Sequence, residues 1–172
     1  MSRQLRDRRQ TSLPDTTMAN TRRHLSLATP VEAEDPLSCV YRFPLPGNRE
    51  LERRVTVLDF PYSAPFPIRR VYWLHNLDPT EIRGHHAHRK LEQLMVAVSG
   101  SIEIELDNGR ERRVEVLDDA TEALYVPPLV WRRIRAREPH AALVVFASAS
   151  FSEADYIRDY DKFVQFVSNH VA

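Results

Sequence analysis

Cysteine is all but absent from this chain. Cys39 stands alone among 172 residues, which excludes an internal disulfide and any cysteine-based zinc site and fits a reducing compartment. Without a second thiol or an activating partner nearby, Cys39 is read as a core residue. Lysine is nearly as scarce: Lys90 and Lys162 are the only two, and arginine supplies the rest of the positive charge, as a GC-rich genome would produce. An excess of either sign is also missing. Lys plus Arg and Asp plus Glu number 24 each, for a net charge of +0, so the basic footprint of a nucleic-acid-binding protein is not present. No apolar run approaches the roughly 20 residues of a membrane span, and no apolar signal-peptide core follows Met1. A cytoplasmic protein of one domain, large enough to bury a core, is expected.

The first 30 residues stand apart. Arg3, Arg6, Arg8, Arg9, Arg22 and Arg23 face only Asp7 and Asp15, and apolar periodicity is lacking; residues 1–30 are expected to be a disordered, Arg-rich tail. Met18, inside it, could serve as an alternative start. From Leu37 onward the pattern turns to short alternating runs. Strands are expected at 39–43, 51–60, 67–76, 91–99, 101–107, 111–117, 122–126, 131–137 and 141–148. Ser99-Gly100 and Asp107-Asn108-Gly109 read as tight connections, Asn-Gly being a strong hairpin signal, so 91–117 is expected to be an antiparallel meander. Many short, regularly spaced strands predict an all-β sandwich or barrel. Ser152 and Asp155 then resemble a capping box, and Tyr156, Ile157, Tyr160, Phe163, Val164 and Val167 recur at helical spacing. A C-terminal helix over 153–169 is predicted, its apolar stripe packed on the barrel or on a partner. The folded domain is drawn at 38–172.

The chemistry concentrates in RGHHAHRKLEQ, residues 83–93. In an extended backbone His86, His88 and Glu92 share one parity and leave one face of a strand. Such a wall can hold a metal or move protons. The spacing His86-x-His88-x3-Glu92 with Gly100 beyond it resembles the first motif of the cupin superfamily, many members of which bind a divalent metal with these three residues and a later histidine. In YVPPLVWRR (125–133) that later position is Arg132, whose guanidinium has no lone pair to donate and would repel a cation. Three ligands can still hold a catalytic metal. Without a metal, neutral imidazoles titrating near pH 6.5 can take and return protons. Arg83 and Arg132 would then hold an anionic substrate or stabilise charge on oxygen. Glu92 contributes to substrate binding, or pairs with Arg132 or Lys90.

Five segments, RVYWL (70–74), RGHHAH (83–88), KLEQ (90–93), LYVPPLVW (124–131) and FSEADYIRDYDKF (151–163), resemble the sugar 3,4-ketoisomerases, cupins acting on a nucleotide-linked, usually dTDP-linked, 4-keto-6-deoxyhexose. The likeness spans about residues 38–165. It implies an all-β fold, a cupin/jelly-roll antiparallel β-barrel with a C-terminal helix, in a homodimer that works without a metal or other cofactor. By that resemblance, the keto group moves from C4 to C3 through an enediol, with His86 and His88 as the catalytic proton-transfer residues. Tyr72 and Arg83 would contact the sugar. Arg133, with Arg89 and Arg135, is a candidate for the diphosphate. Family members often carry histidine just after the Trp of the PPxxW turn, where this chain has Arg132, so rate, C4 stereochemistry or substrate can differ here, or activity be lost. The readings left open beside the isomerase are a metal-dependent cupin such as a dioxygenase and a non-catalytic sugar-nucleotide-binding cupin.

Overall fold

A computed structural model describes residues 35–48 and 55–170. The expected tail at 1–30, and the part of the expected strand at 51–54, lie outside them. In chain order the elements are β1 (Tyr41–Pro44), β2 (Gly47–Asn48), β3 (Val55–Thr56), β4 (Arg70–Leu74), β5 (Ile82–His88), β6 (Gln93–Ser99), β7 (Ile102–Asp107), β8 (Arg112–Leu117), β9 (Glu122–Val126), β10 (Trp131–Ala136), β11 (Ala142–Ala147), β12 (Tyr156–Ile157) and α1 (Tyr160–His170). Two five-stranded antiparallel sheets result, ordered β1-β9-β6-β11-β4 and β12-β5-β10-β7-β8. Strands β4 to β11 fill the two four-strand blocks of a jelly roll. The fold is the expected one, as two stacked sheets that hydrogen bonds do not close into a continuous barrel.

Period-two alternation builds the space between the sheets. Met95 and Ala97 of β6, Leu124 and Val126 of β9 and Leu143 and Val145 of β11 meet Ile102, Ile104 and Leu106 of β7 and Ile134 and Ala136 of β10 in one buried cluster. The opposite parity of the first sheet, Leu94, Val96 and Ala123, is covered by Leu45, Ala64 and Phe66. On the second sheet, Ala87 and Trp131 are covered by Phe163 and Val167 of α1 and by Ile157. Burying a side chain such as Phe163 fully is worth about 1.5–3 kcal/mol.

Two expectations need correction. The stretch 91–117 is not a meander, because β6 pairs with β9 and β11 while β7 pairs with β8 and β10. The continuous apolar run of β6 marks a strand with neighbours on both edges, and Gly100 (φ +67°) carries the chain across to the other sheet. Only β7–β8 is a hairpin of the predicted kind, and its loop is closed by side chains: Asn108 Oδ1 accepts the amides of Arg110 and Glu111 at 2.8 and 2.7 Å. The helix likewise starts at Tyr160 rather than 153. Ser152 caps nothing with its side chain. Glu153–Asp155 form one 3-10 turn, and Tyr156 and Ile157 pair with His88 and Ala87. The helix cap is Asp159, whose Oδ1 accepts the Lys162 amide at 3.0 Å. Strand pairing thus overrides the helical spacing of residues 156 and 157. Among the described residues no helix is long and apolar enough to cross a membrane.

Candidate functional site

β5 carries the site because it is irregular. Gly84 lies at φ +94° and His85 at φ +53°, and the register against β10 slips between Arg132↔His86 and Arg133↔Gly84. The extra residue is a β-bulge. It requires glycine twice over, since a Cβ on Gly84 would sit 2.7 Å from the Arg132 carbonyl oxygen and the backbone is left-handed there. Beyond the bulge His86 and His88 face the space between the sheets, while Ala87 faces α1. The two imidazoles meet edge to face, their centroids 5.1 Å apart, and Tyr156 stands against both at 4.7 and 4.3 Å.

Arg132 sits opposite His86 on β10 and is 2% exposed. Its Nη2 lies 2.8 Å from His86 Nε2, and the His86 Nδ1 lies 2.8 Å from the Gly84 carbonyl. Guanidinium only donates and carbonyl only accepts, so His86 carries its proton on Nδ1 and offers its Nε2 lone pair to Arg132. Among the described residues no carboxylate comes within ion-pair distance of Arg132. Burial draws its pKa down to about 10. Burial first, and the Arg132 charge second, lower His86 to about 3 and His88 to about 2. Both imidazoles are therefore neutral at physiological pH.

Tyr72, on β4, completes the wall. Its hydroxyl accepts a 2.8 Å hydrogen bond from Gln93 Nε2, and burial raises its pKa, so it remains a phenol able to donate. Gln93 is 1% exposed and its Oε1 has no hydrogen-bond partner among the described residues. Beside His88 a cleft of about 240 Å³ opens between Arg70, Lys90, Phe151, Ser152, Asp155 and Tyr156. The Arg70 guanidinium lies over the Tyr72 ring at 4.6 Å and near Phe151 at 5.3 Å.

The structure thus brings together His86, His88, Arg132 and Tyr72 from the sequence reading. It does not bring Glu92 to them. Glu92 precedes β6 and takes the parity of Leu94, and its Oε1 accepts the Tyr125 hydroxyl at 2.8 Å on the covered outer face of the first sheet. Glu92 does not keep the parity of His86 and His88, because β5 ends at His88 and a new strand starts at Gln93 in the other sheet. Arg83 shares the face of His86 through the bulge, but lies at the exposed end of β5, paired to Glu81 at 2.6 Å. Arg133 points to the outer face and is held by Glu105 at 2.6 Å. Arg135 is tied likewise to Glu103, and Arg89 lies over Phe166. Trp131 is buried under α1 and Trp73 is 64% exposed on the outer face of the first sheet.

Sequence reasoning missed Gln93, Arg70, Asp155 and Tyr156. The alternation of RVYWL would have put Arg70 on the face of Tyr72, whereas the β12 pairing that delivers Asp155 and Tyr156 has no local signal. Among the described residues no group of three His, Cys, Asp or Glu is placed to hold a metal ion. With Glu92 on another face and a guanidinium on the His86 lone pair, the donor set does not suit a cation.

The interior of this cupin-like jelly roll presents two imidazoles, a buried guanidinium and a phenol, groups that can move protons or bind an anion. Comparison with known proteins narrows this. Residues 41–168 match the family model described as FdtA: WxcM-like, C-terminal, and the chain belongs to that family. A curated relative from Aneurinibacillus thermoaerophilus, TDP-4-oxo-6-deoxy-alpha-D-glucose-3,4-oxoisomerase, is 39% identical over 106 residues, 62% of this chain and 76% of the relative. A sugar 3,4-ketoisomerase from Thermoanaerobacterium thermosaccharolyticum, solved in complex with TDP, is 31% identical with a TM-score of 0.74 over 77% of this chain and 97% of that one. A His-to-Asn variant of that enzyme, solved in complex with TDP-4-keto-6-deoxyglucose, is 31% identical with a TM-score of 0.73 over 76% and 94% of the two chains.

Proposed function

We propose that this protein is a sugar-nucleotide 3,4-ketoisomerase, converting a TDP-linked 4-keto-6-deoxyhexose to its 3-keto isomer through an enediol. Membership of the family supports the reaction class. The observation that carries the chemistry is the buried Arg132, without a carboxylate, donating to a neutral His86 beside a neutral His88.

A base takes the C3 proton, the C–H pair becomes the C3=C4 double bond, and the C4 carbonyl becomes an oxyanion. The O3 proton is lost and O4 gains one. The pair returns as C4 takes a proton, and C3 becomes the carbonyl. His86 and His88 carry the carbon-bound protons. Arg132 and Tyr72 donate to the sugar oxygens as charge develops, a contribution of about 3–4 kcal/mol for one such donor. When a substrate oxygen replaces His86 as the acceptor of the Arg132 N–H, the Nε2 lone pair is released and its basicity rises. The same exchange supplies a base and an electrophile together.

Arg70 and Lys90, lining the cleft beside His88, are assigned to the diphosphate in place of Arg133. Arg83 stays a candidate for the sugar only if its pairing with Glu81 opens. The cytoplasmic homodimer implied by the resemblance belongs to the same proposal, and sedimentation of the purified protein tests its dimeric part. Incubation with TDP-4-keto-6-deoxyglucose should give the 3-keto isomer, seen by NMR. His88→Asn should abolish it while keeping TDP affinity within a few-fold. Tight TDP binding by the wild type without product would favour a non-catalytic binding cupin, and loss of activity on chelation with stoichiometric metal in the protein would favour a metal enzyme.

A further inference from the structure

His88 is 1% exposed, and among the described residues neither of its ring nitrogens has an aligned hydrogen-bond partner. A buried imidazole left so would be costly. One group stands within reach: Asp155 Oδ2 lies 3.0 Å from His88 Nδ1, off the line of the N–H. Asp155 is not there by chance of rotamer. Its Oδ1 accepts the Lys90 amide at 2.8 Å and its Oδ2 the Leu91 amide at 3.3 Å. Its carbonyl accepts the Arg89 amide at 2.8 Å, and its own amide donates to Ser152. Asp155 is therefore stitched to the three residues that follow His88, its carboxylate to Lys90 and Leu91 and its carbonyl to Arg89, and the pairing Tyr156↔His88 fixes the approach of its own segment. The cleft that reaches His88 is walled by this same side chain.

We propose that Asp155 is the positioning residue of His88: its carboxylate holds the proton on Nδ1 and leaves the Nε2 lone pair, which no group among the described residues uses, for the reacting proton. An ionised carboxylate can only accept, so the tautomer follows from its position. Hydrogen bonds of this kind are often poorly aligned without substrate and tighten when it binds. The arrangement sets an acid–base histidine in one orientation and stabilises its cation once it has taken a proton. The consequence for turnover rests on the isomerase reading; the tautomer does not.

Asp155→Asn separates the two. Asparagine keeps one oxygen for the Lys90 amide, while its NH2 can donate to His88 Nδ1 and drive the proton to Nε2. Long-range 1H–15N NMR on selectively labelled His88 should show the Nδ1–H tautomer in the wild type and Nε2–H in Asp155→Asn. kcat should fall by up to about 10⁴, the loss found when a catalytic histidine is given the wrong tautomer. TDP affinity should stay within about three-fold, as binding is spread over other groups. Asp155→Glu, which keeps an acceptor at longer reach, should recover part of kcat. A wild-type His88 in the Nε2–H form overturns the proposal whether or not any variant folds. So does Asp155→Asn turning over at the wild-type rate. A wild type that does not isomerise, yet shows the Nδ1–H tautomer, overturns the function and leaves the Asp155 assignment standing.

Discussion

Arg132 and His86 face each other across the β10–β5 ladder, with guanidinium Nη2 donating to imidazole Nε2 over 2.8 Å. The contact places a permanent cation on the lone pair that would act as a base. It can persist only because His86 is neutral, and it makes the pair respond to any oxygen that competes for the guanidinium.

Arg132→Met tests this pairing. Removing a donor aimed at the developing oxyanion should lower kcat by about 10²–10³. TDP affinity should change by less than about three-fold if the guanidinium serves the sugar rather than the diphosphate. Unfolding by urea should show little loss of stability, or a gain, because replacing a buried charge by an apolar side chain is often neutral or favourable. A loss above about 3 kcal/mol would instead make Arg132 structural.

The pH dependence has a defined sign. Both histidines titrate lower in the fold than the ordinary 6.5, His86 at about 3 and His88 at about 2. The unfolded chain therefore takes up protons first. Stability is complete above pH 6.5 and is lost as pH falls below it, by at most about 1.4 kcal/mol per pH unit for each histidine. Urea unfolding at pH 7.5 and 5.5 should differ by up to about 3 kcal/mol, and His88→Asn should remove part of that difference. Equal stability at both pH values would mean the imidazoles are not held neutral.

Adjacent residues at the start of β6 should behave oppositely. Glu92→Gln, on the outer face with Tyr125, should leave kcat within about three-fold and cost about 1 kcal/mol of stability. Gln93→Ala removes the donor to Tyr72 and should lower kcat about ten-fold or more. Steady-state kinetics on the two variants decides which side chain faces the substrate.

Gly84→Ala should destabilise by about 2 kcal/mol or more and reduce turnover, because its Cβ would meet the Arg132 carbonyl at 2.7 Å from a left-handed backbone. A neutral substitution in thermal unfolding would mean that the bulge does not fix the histidines.

Much of this was legible in the sequence. Turn residues and alternation located most of the strands, and β9 at Glu122–Val126 was placed to the residue. His86, His88, Tyr72 and Arg132 lie together in the fold. What failed were inferences that carried a local pattern across a break. Glu92 lost its parity because the chain changes sheets between His88 and Gln93, and β6 and β7 look like a hairpin although each belongs to a different sheet. Residues 156–157 have helical spacing but are claimed by the edge of β5. Long-range pairing decided each case, and no window of sequence contains it. Asp155 shows the same limit: it lies 67 positions after His88, and the β12–β5 pairing makes them neighbours.

The central claim is that this wall moves protons between C3 and C4 of a TDP-linked 4-keto-6-deoxyhexose. The most direct measurement is 1H NMR of the purified protein with TDP-4-keto-6-deoxyglucose in deuterated water. The account predicts a 3-keto product carrying solvent deuterium at C4, and no product and no exchange with His88→Asn. Unchanged substrate with its C3 proton retained in the presence of the wild type, or product formed at the same rate by His88→Asn, would contradict it.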